Sequence, residues 1–308
     1  MLPSQAYSIY FYTIATVSTL IQLFIVHVMY ACSKSIRSLT LYFANIGFNN
    51  FLALWIWSVC LQPEFLDTLL CLRLHGFAGK LAVYGQHLCF CMTASAIAST
   101  AISVFITAIY YFSTLSFPRL AGWMSSPKAL LPGFLLHFAG ISVAFYLVYM
   151  VQFEQESSED VFCYLIGSYK TFFWIGSVFM ICITLSGWVF IAFTVYLLYK
   201  RKAKKSKVDF VRISVTLICF AIVPTVTASL PLTVCLIYAA IGQGIEAFPV
   251  LANTSSFLAM TQYSGLMIAA LVGVKPYVQL IARICCFRYV KKPVVSVTFV
   301  TSSVEKKE

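Results

Sequence analysis

Charged residues are scarce in this chain: only 10% of its 308 residues are Asp, Glu, Lys or Arg, whereas 61% are hydrophobic. Soluble globular domains carry about 25% charged residues and roughly 45–50% apolar ones. The apolar residues fall in long runs along the whole chain, and this distribution excludes an ordinary soluble domain. The sequence therefore predicts an integral membrane protein.

Seven apolar runs are long enough to cross a bilayer, which takes about 20 residues of helix. The predicted spans are 9–30, 39–61, 81–111, 129–151, 171–199, 213–240 and 250–274. We predict an all-α membrane protein, a seven-transmembrane helix bundle of the rhodopsin-like receptor architecture, over residues 1–290. A mobile cytoplasmic tail, residues 291–308, is expected to follow it.

No Asp, Glu, Lys or Arg lies inside any of the seven predicted spans. Pumps and ion transporters place ionisable groups there, because proton relays and ion sites need them. The last span has no Lys for a retinal Schiff base, and no carboxylate pair or His dyad of an intramembrane protease is visible. The cysteines show no zinc spacing, and Gly76–Lys80 lacks the first glycine of a phosphate loop. We expect no enzymatic activity, no cofactor and no bound metal.

The basic residues alternate between the two sides of the predicted bundle. One side holds 18 Lys and Arg and the other side 3, whereas 7 of the 10 acidic residues lie on the side poor in Lys and Arg. Because cytoplasmic loops are enriched in Lys and Arg, the N-terminus is predicted to be outside and the C-terminus cytoplasmic. This clustering between apolar runs explains the net charge of +11 without nucleic-acid binding.

Pro224 and Pro231 lie seven residues apart in the sixth predicted span. Each removes a backbone hydrogen bond and weakens or kinks the helix. Two interpretations stay open. The prolines are tolerated kinks, which are common in membrane helices, or they form a hinge that lets the inner end of the helix swing.

A short interfacial helix is predicted after the seventh span, because Leu280, Ile281, Ile284 and Phe287 recur at helical spacing and basic residues flank them. Cys285 and Cys286 at its end are candidates for palmitoylation, with unmodified thiols as the alternative. On the same side, a dense basic stretch follows the fifth span and includes Lys202, Lys204 and Lys205. It serves either headgroup contact or docking of a G protein.

Six stretches of the chain resemble the nematode serpentine chemoreceptors of the G-protein-coupled receptor superfamily, and class delta most closely. They are Lys34–Leu39 before a helix with Asn45, Leu61–Phe65 after that helix, Tyr84–Phe90, Ile106–Tyr111, Phe220–Pro224 with Pro231, and Lys275–Pro276 followed by Phe287–Arg288. Three positions depart from the family pattern. Ile109 stands where an Arg is usual, Lys275 replaces Asn or Asp, and Phe287 replaces Tyr.

The resemblance implies a ligand pocket among the outer halves of helices three, five, six and seven. Mapping the topology onto the sequence gives Gln86, His87, Phe172, Phe173, Trp174, Ser177, Thr233, Tyr238, Asn253 and Ser256 as candidates. A pocket without charge favours a small, neutral, mostly apolar ligand oriented by a few polar groups. The alternative for each residue is packing between helices.

The resemblance also implies a disulfide from Cys163, in the fourth loop, to Cys89 at the top of helix three. Cys71 competes for the same partner, because it lies in a loop on the oxidising side, and the absence of any bridge is a third alternative. On the inner face, the resemblance implies contacts of Tyr110, Tyr111 and Arg288 with a G protein.

The expected function is that of a chemosensory receptor of the odorant type, with a ligand outside, a heterotrimeric G protein inside and membrane lipids around it. The resemblance implies the plasma or ciliary membrane of sensory neurons, and receptor dimerisation is left open. The first alternative is an odorant-gated cation channel subunit, a class with seven spans in the opposite orientation. The second is a facilitative transporter of small solutes, which would need two similar halves with broken helices.

Overall fold

The computed structural model describes residues 4–66, 71–150, 153–155, 161–164, 170–200, 207–241 and 248–286. Four candidate residues on the inner face, Lys202, Lys204, Lys205 and Arg288, lie outside the described residues. The predicted tail, 291–308, lies outside them as well.

Helices dominate the part of the chain that the structure describes. Their bounds are α1 Ser4–Trp55, α2 Val83–Ser116, α3 Pro118–Met124, α4 Leu130–Tyr149, α5 Lys170–Lys200, α6 Lys207–Pro224, α7 Leu230–Ile241, α8 Phe248–Gly273 and α9 Lys275–Cys286. Short 3-10 turns cover Phe77–Lys80 and Pro127–Ala129. Two π-helical turns, Ile56–Leu61 and Thr225–Ser229, continue α1 and join α6 to α7.

Within the part of the chain that the structure describes, seven helical stretches are long and apolar enough to span a membrane, which agrees with the predicted number. We number them spans 1 to 7 in chain order: Gln5–Ala31, Leu39–Leu61, Val83–Thr114, Pro127–Tyr149, Phe173–Leu197, Ser214–Tyr238 and Pro249–Gly273. The ends differ from the predicted ones by a few residues. The chain is therefore a multi-pass membrane protein built as a seven-helix bundle.

Spans 1 and 2 are antiparallel neighbours, although helical structure is continuous from Ser4 to Trp55. Trp55 Nε1 donates a hydrogen bond to Thr19 Oγ1 at 3.0 Å. A straight helix would place residues this far apart in sequence about 54 Å from each other. The chain must therefore reverse its direction between the two spans.

A four-stranded antiparallel sheet covers one end of the bundle, and the sequence analysis did not predict it. Its strands are β1 Pro63–Phe65, β2 Cys71–Leu74, β3 Phe153–Gln155 and β4 Val161–Tyr164, in the order β1-β2-β4-β3. The sheet joins the loop between spans 2 and 3 to the loop between spans 4 and 5. We call this end of the bundle the sheet end and the opposite end, where α9 lies, the α9 end.

The spans differ in how far they are enclosed by protein. Half of the residues in the most apolar stretch of span 7 are buried, and 44% of those in span 2, but only 11% in span 5 and none in span 4. Spans 2 and 7 therefore form the centre of the bundle. Spans 4 and 5 lie at its periphery, where their large apolar side chains are exposed.

Spans 6 and 7 approach each other closely at two glycines of span 7. A Cβ atom built on Gly273 would lie 2.0 Å from Thr216 Oγ1, and one built on Gly265 would lie 2.9 Å from Val223 Cγ1. Small residues at helix interfaces permit this kind of approach in membranes. The α9-end half of span 6 is therefore fitted closely against span 7.

Helix α9 follows span 7, as the spacing of its apolar residues predicts. Tyr277 is fully buried at the α9 end, and Leu280 and Ile281 pack against the same apolar cluster. Thr40 Oγ1 of span 2 lies 2.9 Å from the Tyr277 hydroxyl. Part of the apolar face of α9 thus packs on the bundle rather than on lipid, and its position at the membrane surface stays a prediction.

Candidate ligand-binding, hinge and coupling residues

His87, the leading ligand candidate on span 3, faces span 4. Its Nε2 lies 3.3 Å from the backbone carbonyl of Tyr149 and 3.8 Å from Sγ of Cys91, one helical turn further along span 3. The neighbouring Gln86 donates from Nε2 to the carbonyl of Leu81 at 3.0 Å. Both candidate side chains are buried, but these contacts orient them toward span 4 and toward the start of span 3.

The candidates on span 5 are divided between its two sides. Phe173 and Ser177 are buried, whereas the Trp174 side chain is 47% exposed on the surface of the bundle. Ser177 Oγ donates to the carbonyl of Phe173 at 2.8 Å, so this hydroxyl bonds within its own helix. Phe172 lies in the same helical turn. Trp174 is placed to contact lipid rather than a ligand inside the bundle.

The candidates on span 6 lie on a helix that contacts the start of span 5. Thr233 is buried, and its Oγ1 donates to the carbonyl of Ser229 at 2.6 Å. Tyr238 is half-buried. A Cβ atom on Gly176 of span 5 would lie 3.7 Å from Leu236 Cδ1, which shows that the two spans are in contact at this level.

Asn253 of span 7 binds the edge of the sheet. Its Nδ2 donates to the carbonyl of Phe65 at 3.1 Å, and its Oδ1 accepts from the Phe65 N–H at 2.9 Å. The amide thus satisfies the free edge of β1 as a neighbouring strand would. The Tyr7 hydroxyl of span 1 also donates to Asn253 Oδ1, at 3.2 Å. Ser256, one turn along span 7, accepts from Trp57 Nε1 at 2.8 Å.

The structure therefore distributes the predicted ligand-binding residues over three interfaces. His87 lies near span 4 and Gln86 at the start of span 3, the candidates of spans 5 and 6 lie on two helices in contact, and Asn253 and Ser256 bind the sheet and span 2. A groove of about 460 Å³ lies on the exposed surface of span 5, and none of these candidate residues lines it. It is lined by Leu185, Ser186, Val189, Phe190 and Phe193.

The disulfide joins Cys71 to Cys163, so the pairing of Cys163 with Cys89 that the resemblance implied is wrong. Strands β2 and β4 pair with Cys71 directly opposite Cys163, which brings the two sulfur atoms together. Cys89 is a free thiol on helical span 3 and packs in the apolar cluster of Leu61 and Leu72. The sequence analysis left Cys71 open as the alternative partner of Cys163. The pairing of β2 with β4, which it did not predict, explains why Cys71 forms the bond.

The sheet end also contains a buried carboxylate that the sequence analysis did not select. Glu64 Oε2 lies 2.7 Å from His75 Nε2 and 3.7 Å from Arg73 Nη1. The Tyr7 ring lies 5.3 Å from the His75 ring, and the Tyr7 hydroxyl donates to the carbonyl of Pro63. Strand β1 is therefore bound to β2 and to span 1.

The predicted hinge coincides with a change in helical form. Helix α6 ends at Pro224, a π-helical turn covers Thr225–Ser229, and α7 resumes at Leu230 with Pro231 in its first turn. A π-helical turn has i→i+5 hydrogen bonds, is rare overall and is frequently found at functional sites. The two prolines therefore flank the irregular segment of span 6.

Threonine side chains stabilise this irregular segment. Thr225 Oγ1 and Thr227 Oγ1 donate to the carbonyls of Ala221 and Val223, both at 2.6 Å. Trp188 Nε1 of span 5 donates to Thr225 Oγ1 at 3.1 Å. The hydrogen bond between Trp188 and Thr225 thus joins span 5 to the π-helical turn.

Tyr110 and Tyr111, predicted to contact a G protein, are both buried. The Tyr110 ring stacks on Tyr42 of span 2 with 4.5 Å between the centroids. Tyr111 belongs to the apolar cluster of the α9 end, together with Phe220 and Tyr277. Spans 2 and 6 and helix α9 thus cover the two rings, and contact of these rings with a G protein stays a prediction.

Helix α9 reaches the two candidate palmitoylation residues, Cys285 and Cys286, so both lie at the C-terminal end of that helix. Their modification stays a prediction. Among the residues that the structure describes, no three His, Cys, Asp or Glu side chains are grouped as metal ligands would be.

Comparison of the chain with protein-family models gave no match, and comparison with the curated proteins gave none either. The functional argument therefore depends on the residues themselves.

Proposed function

We propose that this protein is a chemosensory receptor of the G-protein-coupled type. In this proposal a small, neutral, mostly apolar ligand binds from the sheet end, and a heterotrimeric G protein binds at the α9 end. The receptor lies in the plasma membrane, or in the ciliary membrane of a sensory neuron.

The orientation in this proposal depends on the distribution of charge. The loops at the sheet end hold three basic residues, Arg73, Lys80 and Lys170, whereas the opposite end holds Arg119 and Lys128 and, in the sequence, the dense basic stretch after span 5. The positive-inside bias then assigns the α9 end to the cytoplasm. The disulfide between Cys71 and Cys163 agrees with an oxidising environment at the sheet end.

The observation that carries the proposal is the hinge of span 6. Pro224 and the π-helical turn interrupt the regular hydrogen bonds in the middle of the membrane. The α9-end half of span 6, with Leu217 and Phe220, packs over Tyr111 and Tyr277. Rotation about the hinge would lift these side chains and open the α9 end to a protein partner, as helix shifts do in switching proteins.

The composition of the candidate ligand residues supports a neutral ligand. The buried candidates of spans 3, 5 and 6 supply one phenyl ring, two hydroxyls, an amide and an imidazole, namely Phe173, Ser177, Thr233, Gln86 and His87. Such a set suits an apolar molecule with one or two groups that form hydrogen bonds. A charged ligand would lose its hydration without a partner of opposite charge.

Two measurements test the proposal. Epitope tags at both termini should show the N-terminal tag accessible on intact cells and the C-terminal tag only after permeabilisation. The reverse pattern would contradict the orientation and favour the odorant-gated channel.

The second measurement is G-protein activation, read as dissociation of labelled G-protein subunits in cells that express the receptor. A panel of neutral short-chain alcohols, ketones, esters and aromatic aldehydes supplies the ligands. At least one compound should activate the wild-type receptor, and Phe220→Ala should raise activation without any compound, because it weakens the packing that closes the α9 end. Compound-gated current without G-protein activation would contradict the proposal.

A further inference from the structure

Five polar side chains form a hydrogen-bond network in the middle of the bundle, where spans 2, 3 and 4 meet. Span 2 contributes Asn45 and Asn49, span 3 contributes Ser99 and Ser103, and span 4 contributes His137. All heavy-atom distances within the network lie between 2.8 and 3.1 Å. His137 is the side chain through which span 4 joins the network.

The orientation of the Asn49 amide is fixed by the backbone. Its Nδ2 lies 2.9 Å from the carbonyl oxygen of Asn45, which can only accept a hydrogen bond. If the amide were flipped, two acceptors, Asn49 Oδ1 and the Asn45 carbonyl oxygen, would lie about 2.9 Å apart. Asn49 Oδ1 therefore points toward Ser99, whose hydroxyl donates to it at 2.8 Å.

The Asn49 orientation in turn fixes Asn45. Asn49 Nδ2 donates to Asn45 Oδ1 at 3.1 Å, so Asn45 Nδ2 must be the atom that lies 3.1 Å from His137 Nε2. An amide N–H only donates, and Nε2 of His137 must therefore accept. In a neutral imidazole the proton then lies on Nδ1, which is 2.8 Å from Ser99 Oγ.

These assignments close a ring in which every bond has the same direction. His137 Nδ1 donates to Ser99, Ser99 to Asn49, Asn49 to Asn45, and Asn45 back to His137 Nε2. Ser103 lies inside the ring and donates to the Ser99 carbonyl. Its oxygen lies 3.0 Å from Asn45 Nδ2 and 2.9 Å from Asn49 Nδ2. The two N–H groups of Asn49 are thus shared among three acceptors, Ser103, the Asn45 carbonyl and Asn45 Oδ1. Each N–H and O–H of the five side chains thus has an acceptor.

We propose that His137 is a positioning residue: a neutral imidazole, protonated at Nδ1, whose two nitrogens close a hydrogen-bond ring that holds spans 2, 3 and 4 in one arrangement. A second proton on Nε2 would point at the Asn45 N–H and break the ring. None of the residues in the most apolar stretch of span 4 is buried, and His137 supplies side-chain hydrogen bonds that join this span to spans 2 and 3. The proposal does not depend on the function proposed above.

The first test is nitrogen-15 NMR of the histidine-labelled receptor in lipid nanodiscs, which distinguishes a protonated ring nitrogen from an unprotonated one. The His137 signals are identified by their loss in His137→Gln and, independently, by transfer from the labelled Asn45 amide to Nε2. We expect a protonated Nδ1 and an unprotonated Nε2 at neutral pH. A protonated Nε2 in the wild-type receptor would overturn the proposal.

The second test changes the direction of one bond. Asn45→Asp replaces the amide donor with a carboxylate oxygen, which only accepts, so Nε2 of His137 should gain a proton and its signal should move accordingly. An unchanged Nε2 signal in Asn45→Asp would show that Asn45 does not set the protonation of the ring and would overturn the proposal.

The third test compares two histidine substitutions. His137→Phe keeps an aromatic ring but removes both nitrogens, and it should lower the midpoint of thermal unfolding by several degrees. His27→Phe is the matched control, since His27 of span 1 is exposed on the bundle surface, and it should leave the midpoint unchanged. Equal unfolding midpoints for the two variants would contradict the positioning role. If His137→Phe does not fold, the NMR measurement on the wild-type receptor decides whether the proposal holds.

Discussion

Spans 2 to 4 share a network of side-chain hydrogen bonds between helices, whereas most of the hydroxyls described in spans 5 and 6 bond within their own helix. In spans 2 to 4, Asn45, Asn49, Ser99 and His137 bond across helices. In spans 5 and 6, hydroxyls such as those of Ser177, Thr184, Ser186, Thr194, Thr227 and Thr233 donate to carbonyls of their own helix. The polar side chains of spans 2 to 4 therefore add contacts between helices, whereas most hydroxyls of spans 5 and 6 do not.

This difference separates a rigid part of the molecule from a hinged part. Membrane helices gain little from the hydrophobic effect against one another, so packing and hydrogen bonds between helices hold them together. Two polar side-chain bonds, Trp188 with Thr225 and Cys235 with Ser255, connect span 5 and the hinge region of span 6 to a neighbouring span. The hinge at Pro224 lies in this less cross-linked part.

The largest expected effect comes from the covalent bond between the two parts. Cys71 precedes span 3 and Cys163 precedes span 5, so their disulfide connects the rigid part to the hinged part. Removing a native disulfide from a small domain costs about 2–5 kcal/mol. Cys163→Ala and Cys71→Ala should each strongly reduce surface expression, measured by flow cytometry of an N-terminal tag.

Cys89→Ala is the control for this prediction, because Cys89 is a free thiol and its removal should leave surface expression near the wild-type level. If Cys89→Ala loses expression while Cys71→Ala keeps it, the assigned pairing is wrong.

The second effect concerns the network of the rigid part. Asn49→Ala removes hydrogen bonds to Asn45, Ser99 and Ser103 and leaves their polar groups without a partner. Each such bond in a membrane protein contributes about 0.6 kcal/mol on average. The free energy of unfolding of the variant should therefore fall by roughly 1–3 kcal/mol, and the upper end applies if buried polar groups are left without a partner. Reversible unfolding in mixed micelles measures the loss, and a loss confined to a few tenths would contradict the rigid network.

The third effect is at the hinge. Trp188→Phe keeps the ring but removes the hydrogen bond to Thr225, which should cost about 1 kcal/mol of stability and raise G-protein activation without ligand. Trp174→Phe serves as the control, since Trp174 is exposed on the bundle surface. Activation that rises equally in both variants would remove the special role of the bond to Thr225.

The smallest effect is expected on span 5. Ser186→Ala removes an exposed hydroxyl that donates to the Cys182 carbonyl of the same helix. The free energy of unfolding should therefore change by less than about 0.5 kcal/mol. Ser99→Ala is the comparison in the rigid part and should cost more, since Ser99 bonds to two other spans. Equal losses in the two variants would break the contrast between the two parts of the molecule.

Local pattern was enough to predict the bundle but not the contacts across it. Apolar runs of about 20 residues give the spans directly, and the two prolines mark the irregular segment of span 6, whose role as a hinge stays a prediction. The sheet was missed because its strands have three or four residues each and obtain their partners from distant loops. The disulfide depends on that sheet, so the resemblance chose the wrong cysteine.

The candidate site was predictable only in part, for a similar reason. Asn253 was selected from its level in the membrane, but its partner is the backbone of Phe65, nearly two hundred residues away in sequence. His137 was passed over because the sequence analysis counted only Asp, Glu, Lys and Arg within the spans. A search for histidine and asparagine in predicted spans would have found both His137 and Asn45.

The most direct test of this account is a pair of distances measured between spin labels on the receptor in nanodiscs. One pair of labels, at Leu41 and Leu130, reports the distance between spans 2 and 4. The other pair, at Leu130 and Val211, reports the distance between span 4 and the α9-end half of helix α6. All three side chains are exposed and can carry a label. On adding nucleotide-free heterotrimeric G protein, the distance from Leu130 to Val211 should lengthen while that from Leu41 to Leu130 stays unchanged. A change in the spans 2–4 distance with a constant distance to span 6 would contradict the account.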